Sequence, residues 1–121
     1  PSAAPALEAA RAAGLGVIVK EALANGRLTD RNRDPGFAAQ RRVLVDLAAR
    51  FDLSMDAAAL AAALARPWAD VVLSGAATLD QLASNLRSLD IAWDAQEESE
   101  IRRLAEAPDA YWQTRSDLAW N

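Results

Sequence analysis

Hydrophobic positions along the chain fall into segments with helical spacing, separated by two short aliphatic runs. Apolar residues three or four positions apart, with charged residues on the other faces, predict amphipathic helices. One segment, residues 55–65, is almost entirely Ala and Leu, which predicts a helix that is buried on most sides. The predicted helices cover residues 5–13, 38–50, 55–65, 79–88 and 95–106.

Capping residues stand at the beginning of three of these helices. Ser54 precedes the second helix after the loop, where its hydroxyl can accept a hydrogen bond from a first-turn N–H group. Thr78 and Gln81 have the spacing of a capping box, and Asp94 and Glu97 repeat that spacing. These signals define where the three helices begin.

The aliphatic runs at residues 17–19 and 71–73 are typical of buried strands in a parallel sheet. Because helices lie between them, the two strands form a βαβ unit, which is expected to be parallel and right-handed. The polar segment 29–36 predicts a loop long enough to cover a site. A sheet of two strands leaves both edges unpaired and is marginal alone. The strands are therefore expected to pair with further strands of the same protein or with a second copy of the chain.

The composition excludes several classes of function. The 121 residues, 52% of them hydrophobic, suffice for one globular domain. A net charge of -4 opposes binding to nucleic acid or to an anionic membrane. Because the chain has neither Cys nor His, thiol chemistry and ordinary zinc sites are ruled out, and no metal is expected. No apolar run reaches the ~18 residues that a membrane span needs.

The most informative segment runs from Val71 to Leu86. An aliphatic strand ends at the small residues Ser74, Gly75 and Ala76, and a capped amphipathic helix follows. Small side chains let a ligand approach the backbone, and the first helical turn presents unpaired N–H groups and the positive end of the helix dipole. This arrangement predicts a seat for an anion such as a phosphate group.

The order of residues in this segment resembles the last strand-to-helix turn of the aldo-keto reductases, where the adenosine 2′-phosphate end of NADPH is held. Residues 16–28 resemble the preceding strand of that family and its cofactor-covering loop, and residues 111–121 resemble the C-terminal ends of one bacterial branch. The resemblance implies an α/β fold: the C-terminal fragment of a TIM (β/α)8 barrel, with two short parallel strands in predominantly helical surroundings. Residues 1–121 would form a single partial domain.

The resemblance also implies a function. It indicates a cytoplasmic oxidoreductase that uses NADP(H) or NAD(H) to reduce a small aldehyde or ketone to an alcohol. The family's catalytic Asp, Tyr, Lys and His belong to earlier strands, so we expect no catalytic residue here and no turnover by this chain alone. The cofactor-binding residues implied by the resemblance are Lys20, Glu21, Leu23, Asn25, Gly26, Ser74, Gly75, Ala76, Thr78, Gln81 and Asn85.

Several of these residues also have simpler structural interpretations. Thr78 and Gln81 are explained by the capping box alone, whereas Asn85 is a mediocre helix former and matches a family Asn that hydrogen-bonds adenine. No basic residue lies in the segment 74–86, so a 2′-phosphate would lack its usual partner, and the choice between NADPH and NADH stays open. Lys20 replaces an aromatic residue that many family members stack on nicotinamide. In the loop, Gly26 is predicted to adopt a positive φ.

Two alternatives come from other classes of protein. The segment 47–54, followed by the helix 55–65, has the spacing of a helix-turn-helix DNA-binding motif. That second helix contains no Arg, Lys, Asn or Gln to reach base edges, which disfavours this interpretation. A non-catalytic helical interaction or dimerisation module would suit the Ala- and Leu-rich faces. It does not account for the order of strand, small-residue turn and helix.

Overall fold

A computed structural model describes residues 3–117 as helices that flank a short parallel sheet. Strand β1 (Ile18–Val19) pairs with β2 (Val71–Val72), with Ile18 opposite Val71 and Val19 opposite Val72. The predicted parallel pairing is therefore confirmed, but each strand has two residues instead of the predicted three, and Ile18 and Val71 are exposed and not buried. The α-helices are α1 (Ala4–Ala12), α2 (Ala38–Arg50), α3 (Met55–Leu64), α4 (Leu79–Leu86), α5 (Ala95–Ile101) and α6 (Pro108–Asp117).

The hydrophobic core lies between α2 and α3. Leu44 and Leu47 of α2 are both fully buried, and they pack on a surface of α3 made mostly of alanines. Residues 57–61 of α3 are at most 4% exposed, which confirms that this helix is buried on most sides. Trp93 and Ile101 close the core from the side of α5. Small side chains on α3 allow the neighbouring helices to approach its backbone closely.

The helix starts follow the predicted caps. The hydroxyl of Ser54 accepts a hydrogen bond from the N–H of Ala57 at 3.3 Å. Asp94 and Glu97 form a complete capping box at the start of α5. Asp34 accepts a hydrogen bond from the N–H of Gly36, which organises a short 3-10 turn directly before α2.

Two α-helices end clearly earlier than predicted, and one helix was not predicted. The α-helix predicted to reach residue 88 ends at Leu86 and continues as a 3-10 turn to Asp90. Helix α5 likewise ends at Ile101 and tightens into a 3-10 turn up to Leu104, because such turns satisfy carbonyl groups that a helix end leaves unpaired. Helix α6 was not predicted. It has no buried residue among those described, so no apolar periodicity marks it in the sequence.

The two faces of the sheet have different surroundings. Val17, directly before β1, is 6% exposed, whereas Ile18 and Val71 stand side by side on the opposite face and are 66% and 47% exposed. Leu73 continues this exposed face at 51%. Side chains alternate between the faces of a strand, so helices cover one face of the sheet and the other lies bare. Pairing of the sheet edges with further strands or with a second copy stays a prediction.

An ion-pair network holds α5 against the end of α3. Arg66 donates hydrogen bonds to both carboxylate oxygens of Glu98, one of them at 3.0 Å. Arg102 Nε donates to the same carboxylate at 2.9 Å, and Trp93 Nε1 does so at 3.4 Å. The hydrogen bonds from Arg66, and then those from Arg102 and Trp93, lower the pKa of Glu98 from its usual 4.5 to about 2.

We expect the protein to lose stability as the pH falls from 4.5 towards 2, through the range between the usual and the native pKa of Glu98. A carboxylate with a depressed native pKa stabilises the fold fully above its unfolded pKa and loses that contribution as acid protonates it. Glu98→Gln should lower the free energy of unfolding at neutral pH by about 1–2 kcal/mol, allowing for solvent screening. Urea unfolding at neutral pH and at about pH 3 measures this. The variant should show the shallower pH dependence, and an unchanged dependence would contradict the assignment.

Candidate functional site

The turn after β2 combines a left-handed backbone with open space. Gly75 has φ +66°, a conformation that residues with a side chain rarely adopt. A Cβ atom built on Gly75 would meet no atom within 4 Å, so the backbone is accessible to a ligand. The Ser74 hydroxyl accepts a hydrogen bond from the N–H of Ala76 at 3.3 Å and closes the turn.

Thr78 and Gln81 organise the beginning of α4. The Thr78 hydroxyl accepts a hydrogen bond from the N–H of Gln81 at 3.2 Å, and the Gln81 side-chain oxygen accepts one from the N–H of Ala77 at 2.8 Å. The capping role of Thr78 is thus confirmed, whereas the predicted capping box is incomplete, because the Gln81 side chain bonds to Ala77 and not to the backbone of Thr78. Within residues 3–117, the N–H groups of Leu79 and Asp80 make no hydrogen bond. They remain available to an anion at the helix start.

Asn85 lies beneath the turn and not on its surface. It is 5% exposed, and its amide nitrogen donates to the Ser74 carbonyl oxygen at 3.3 Å. Rotating the amide by 180° lets the nitrogen donate instead to an Asp56 carboxylate oxygen at 2.8 Å and to the Gln81 carbonyl oxygen at 3.3 Å. In the first orientation the side chain ties α4 to the turn, and in the second it ties α4 to α3. Contact between Asn85 and a cofactor stays a prediction.

The loop after β1 has an unusual backbone. Gly26 has φ +81°, which confirms its predicted positive φ. Glu21, Ala24 and Asn25 also have positive φ values, between 49° and 57°, and sequence reasoning missed these three. Leu23, predicted to contact the cofactor, is half-buried and packs against the core cluster formed by Leu44, Met55 and Ala59.

The loop and the turn meet at one edge of the sheet. Lys20 follows β1 directly and is exposed, and Ser74 follows Leu73, whose N–H donates to the Val19 carbonyl oxygen at 2.9 Å. The carboxyl ends of both strands therefore face the same side, as expected for neighbouring parallel strands. The predicted site residues thus fall into two groups, the loop at 20–26 and the turn with the start of α4.

The beginning of α4 has a negatively charged side chain. Asp80 lies in the first turn of α4 and is exposed. An acidic residue there stabilises the helix through its dipole, but it repels an anionic ligand at the same place. Sequence reasoning identified the lack of basic residues in 74–86 and overlooked this carboxylate, although it stands within the motif.

Three arginine contacts of residues 20–36 were also missed, and in two of them the partners are far apart in the sequence. Arg27 forms an ion pair with Glu106, 79 positions away, and Arg115 forms one with Glu21, 94 positions away. Arg41 donates to the Asn32 carbonyl oxygen at 2.5 Å. No local sequence signal marks such pairs.

Two concave regions lie near the sheet. An apolar groove of about 160 Å³ lies behind the turn and includes Leu60, Leu82 and Leu86 in its lining. A more open hollow of about 360 Å³ is lined by residues of α1 together with Pro67 and Trp68, ahead of β2 in the chain. The hollow is therefore not part of the candidate site, since the loop and the turn follow the carboxyl ends of the strands.

Residues 3–117 contain no group of acidic side chains arranged to hold a metal ion. Over the same residues, every helix is too short or too polar to cross a bilayer.

Comparison with known proteins identifies the family. No curated protein matches the chain. The sequence model of the aldo/keto reductase family matches residues 3–106, which is most of the 121 residues and includes both strands and the turn at Gly75. The chain therefore belongs to the aldo/keto reductase family, and its fold is an α/β fragment of the barrel that this family implies.

Proposed function

We propose that this chain is the C-terminal, nucleotide-holding part of an NAD(P)H-dependent oxidoreductase that reduces an aldehyde or ketone to an alcohol. The observation that carries the proposal is the parallel pairing of β1 with β2. This pairing brings the loop at 20–26 and the turn at 74–78 to one edge of the sheet. Ligand sites of parallel α/β folds lie at the carboxyl ends of the strands.

The two groups of residues fit different parts of a dinucleotide. The open backbone at Gly75 and the N–H groups of Leu79 and Asp80 suit a phosphate, because they supply donors without blocking its approach. The loop that contains Asn25 and Gly26 would cover the pyrophosphate. When bound, the nicotinamide ring supplies a hydride to the carbonyl carbon. This chain's own residues bind and orient the cofactor.

The rest of the barrel would complete the protein. The sheet exposes Ile18, Val71 and Leu73 on one face, and α4 with the turn after it exposes a row of leucines that includes Leu79 at 84% and Leu89 at 67% exposure. Such a surface suits further strands and helices of the same barrel, or a second copy of the chain. The catalytic Tyr and the pocket for the carbonyl substrate would come from those strands, in a cytoplasmic enzyme. The chain alone should bind cofactor without turnover.

Calorimetric titration with NADPH and with NADH tests this proposal. We expect both to bind, with little preference, since residues 74–86 supply no cation for the 2′-phosphate. Asp80→Lys should tighten NADPH binding about tenfold, because it replaces a repelling charge by an attracting one, and should change NADH binding by less than about threefold.

Asp90→Lys is the matched control, since it makes the same charge change at the opposite end of the α4 segment. It should leave both affinities within about twofold, because charges separated by more than a Debye length are screened. Absence of binding by either cofactor would overturn the proposal. Equal tightening of both cofactors by Asp80→Lys would show that the 2′-phosphate lies elsewhere.

A further inference from the structure

The loop at residues 21–28 contains a strained stretch of backbone. Glu21, Ala24 and Asn25 have φ values of 57°, 49° and 55°. The left-handed region costs a residue with a Cβ atom about 1–2 kcal/mol. Asn tolerates this conformation, but Glu21 and Ala24 are strained in it, and two such residues within one short loop need contacts from outside the loop to hold them.

Arg27 supplies one of these contacts. Its guanidinium donates two parallel hydrogen bonds to the Glu106 carboxylate, at 2.7 and 3.0 Å. It also lies 5.3 Å from the centre of the Phe37 ring and 5.9 Å from the centre of the Tyr111 ring. The two side chains of the ion pair are only 15% and 26% exposed, so solvent screens their attraction less than that of a surface pair. A bidentate pair with a stacked guanidinium fixes orientation as well as distance.

Arg115 of α6 supplies the second contact. Its guanidinium donates to one Glu21 carboxylate oxygen at 2.6 and 3.1 Å, and its side chain is 11% exposed. Glu21 is itself one of the left-handed residues. The two ion pairs therefore hold the loop at both ends, and both partners come from the segment 106–115.

We propose that residues 106–115, which we call the clasp segment, position the loop at 21–28 in the conformation that receives the cofactor pyrophosphate. This inference rests on the proposed function of the loop. The family match ends at residue 106, so α6 lies beyond the matched region and its role is not one that the match supplies. Glu106 acts through Arg27, and Arg115 acts through Glu21, so both are positioning residues.

The test uses Glu106→Gln and Arg115→Gln, each of which removes one charge of the clasp. The control is Arg42→Gln, which breaks an exposed ion pair with Asp46 on α2. Hydrogen exchange of the loop amides is measured without ligand, with the amides of α3 as the reference for global stability. The affinity and the dissociation rate of NADPH and NADH are then measured for each protein.

We expect loop exchange to rise about tenfold in both clasp variants, with α3 unchanged, since a lost charged hydrogen bond loosens the loop locally. Cofactor dissociation should accelerate about five- to tenfold. Glu106→Asp keeps the carboxylate and should restore part of the loop protection. Arg42→Gln should have the same loop exchange and the same cofactor dissociation rate as the parent protein.

The possible results separate this inference from the function on which it rests. Unchanged hydrogen exchange of the loop in both variants overturns the proposal that the clasp segment holds the loop. Faster exchange with unchanged cofactor affinity also overturns the positioning role, while the proposed function stands. If the parent protein binds neither cofactor, the proposed function fails, and the positioning role fails with it.

Discussion

Replacing Leu44 by Ala is expected to lower the free energy of unfolding by about 3–4 kcal/mol. Leu44 is fully buried between α2 and α3, and Leu23, Leu28, Ile101 and Leu104 pack against the cluster that it forms with Met55 and Ala59. The substitution removes buried apolar surface and leaves a cavity that closely packed helices cannot fill. Because Leu23 and Leu28 belong to the loop, the cavity should also loosen the proposed cofactor site.

Urea unfolding followed by circular dichroism measures this change. The matched control is Val45→Ala on the same helix, where the side chain is 45% exposed. Val45→Ala should lower the free energy of unfolding by less than about 1 kcal/mol, since little transfer free energy is lost at a half-exposed site. Equal losses for the two variants would contradict the placement of the core between α2 and α3.

Replacing Gly75 by Val is expected to weaken cofactor binding by at least about tenfold, because a β-branched residue is strained at φ +66°. The turn would then shift and move the start of α4. Gly75→Asn is the informative companion, since Asn tolerates the left-handed conformation but still places a Cβ atom in the open space at the turn.

The two variants distinguish the effect of the turn conformation from the effect of ligand access to the backbone at residue 75. If a ligand must approach the backbone closely, both variants should lose binding, and this is the result that we expect. Retained binding in Gly75→Asn would mean that the turn conformation alone matters, and retained binding in Gly75→Val would exclude the turn from the site. Calorimetric titration of each variant with NADPH and NADH provides the measurement, and circular dichroism checks that the helices persist.

The features that the sequence predicted correctly have local causes. The caps at Ser54, Thr78 and Asp94 depend on residues within one helical turn, and the structure contains all three. The strands could be predicted because the aliphatic runs at residues 17–19 and 71–73 lie on either side of a segment with helical spacing. Their parallel pairing follows from the handedness and connection rules for βαβ units.

The features that the sequence did not predict depend on distant contacts. The burial of Asn85 depends on how α4 lies against α3, whereas its contact with the cofactor stays a prediction. Arg27 and Glu106 are 79 positions apart in the sequence, and no neighbouring residue of either one indicates that they form an ion pair. Helix α6 packs through charged and aromatic side chains, which give no apolar periodicity.

The central claim is that a nucleotide cofactor binds where the carboxyl ends of β1 and β2 meet. Backbone amide chemical shifts of the protein, recorded by NMR during titration with NADPH and NADH, test it most directly. We predict that the shifts concentrate in residues 20–26 and 74–80. Shifts concentrated instead around the hollow at Arg11 and Trp68, or the absence of any shift, would contradict the account.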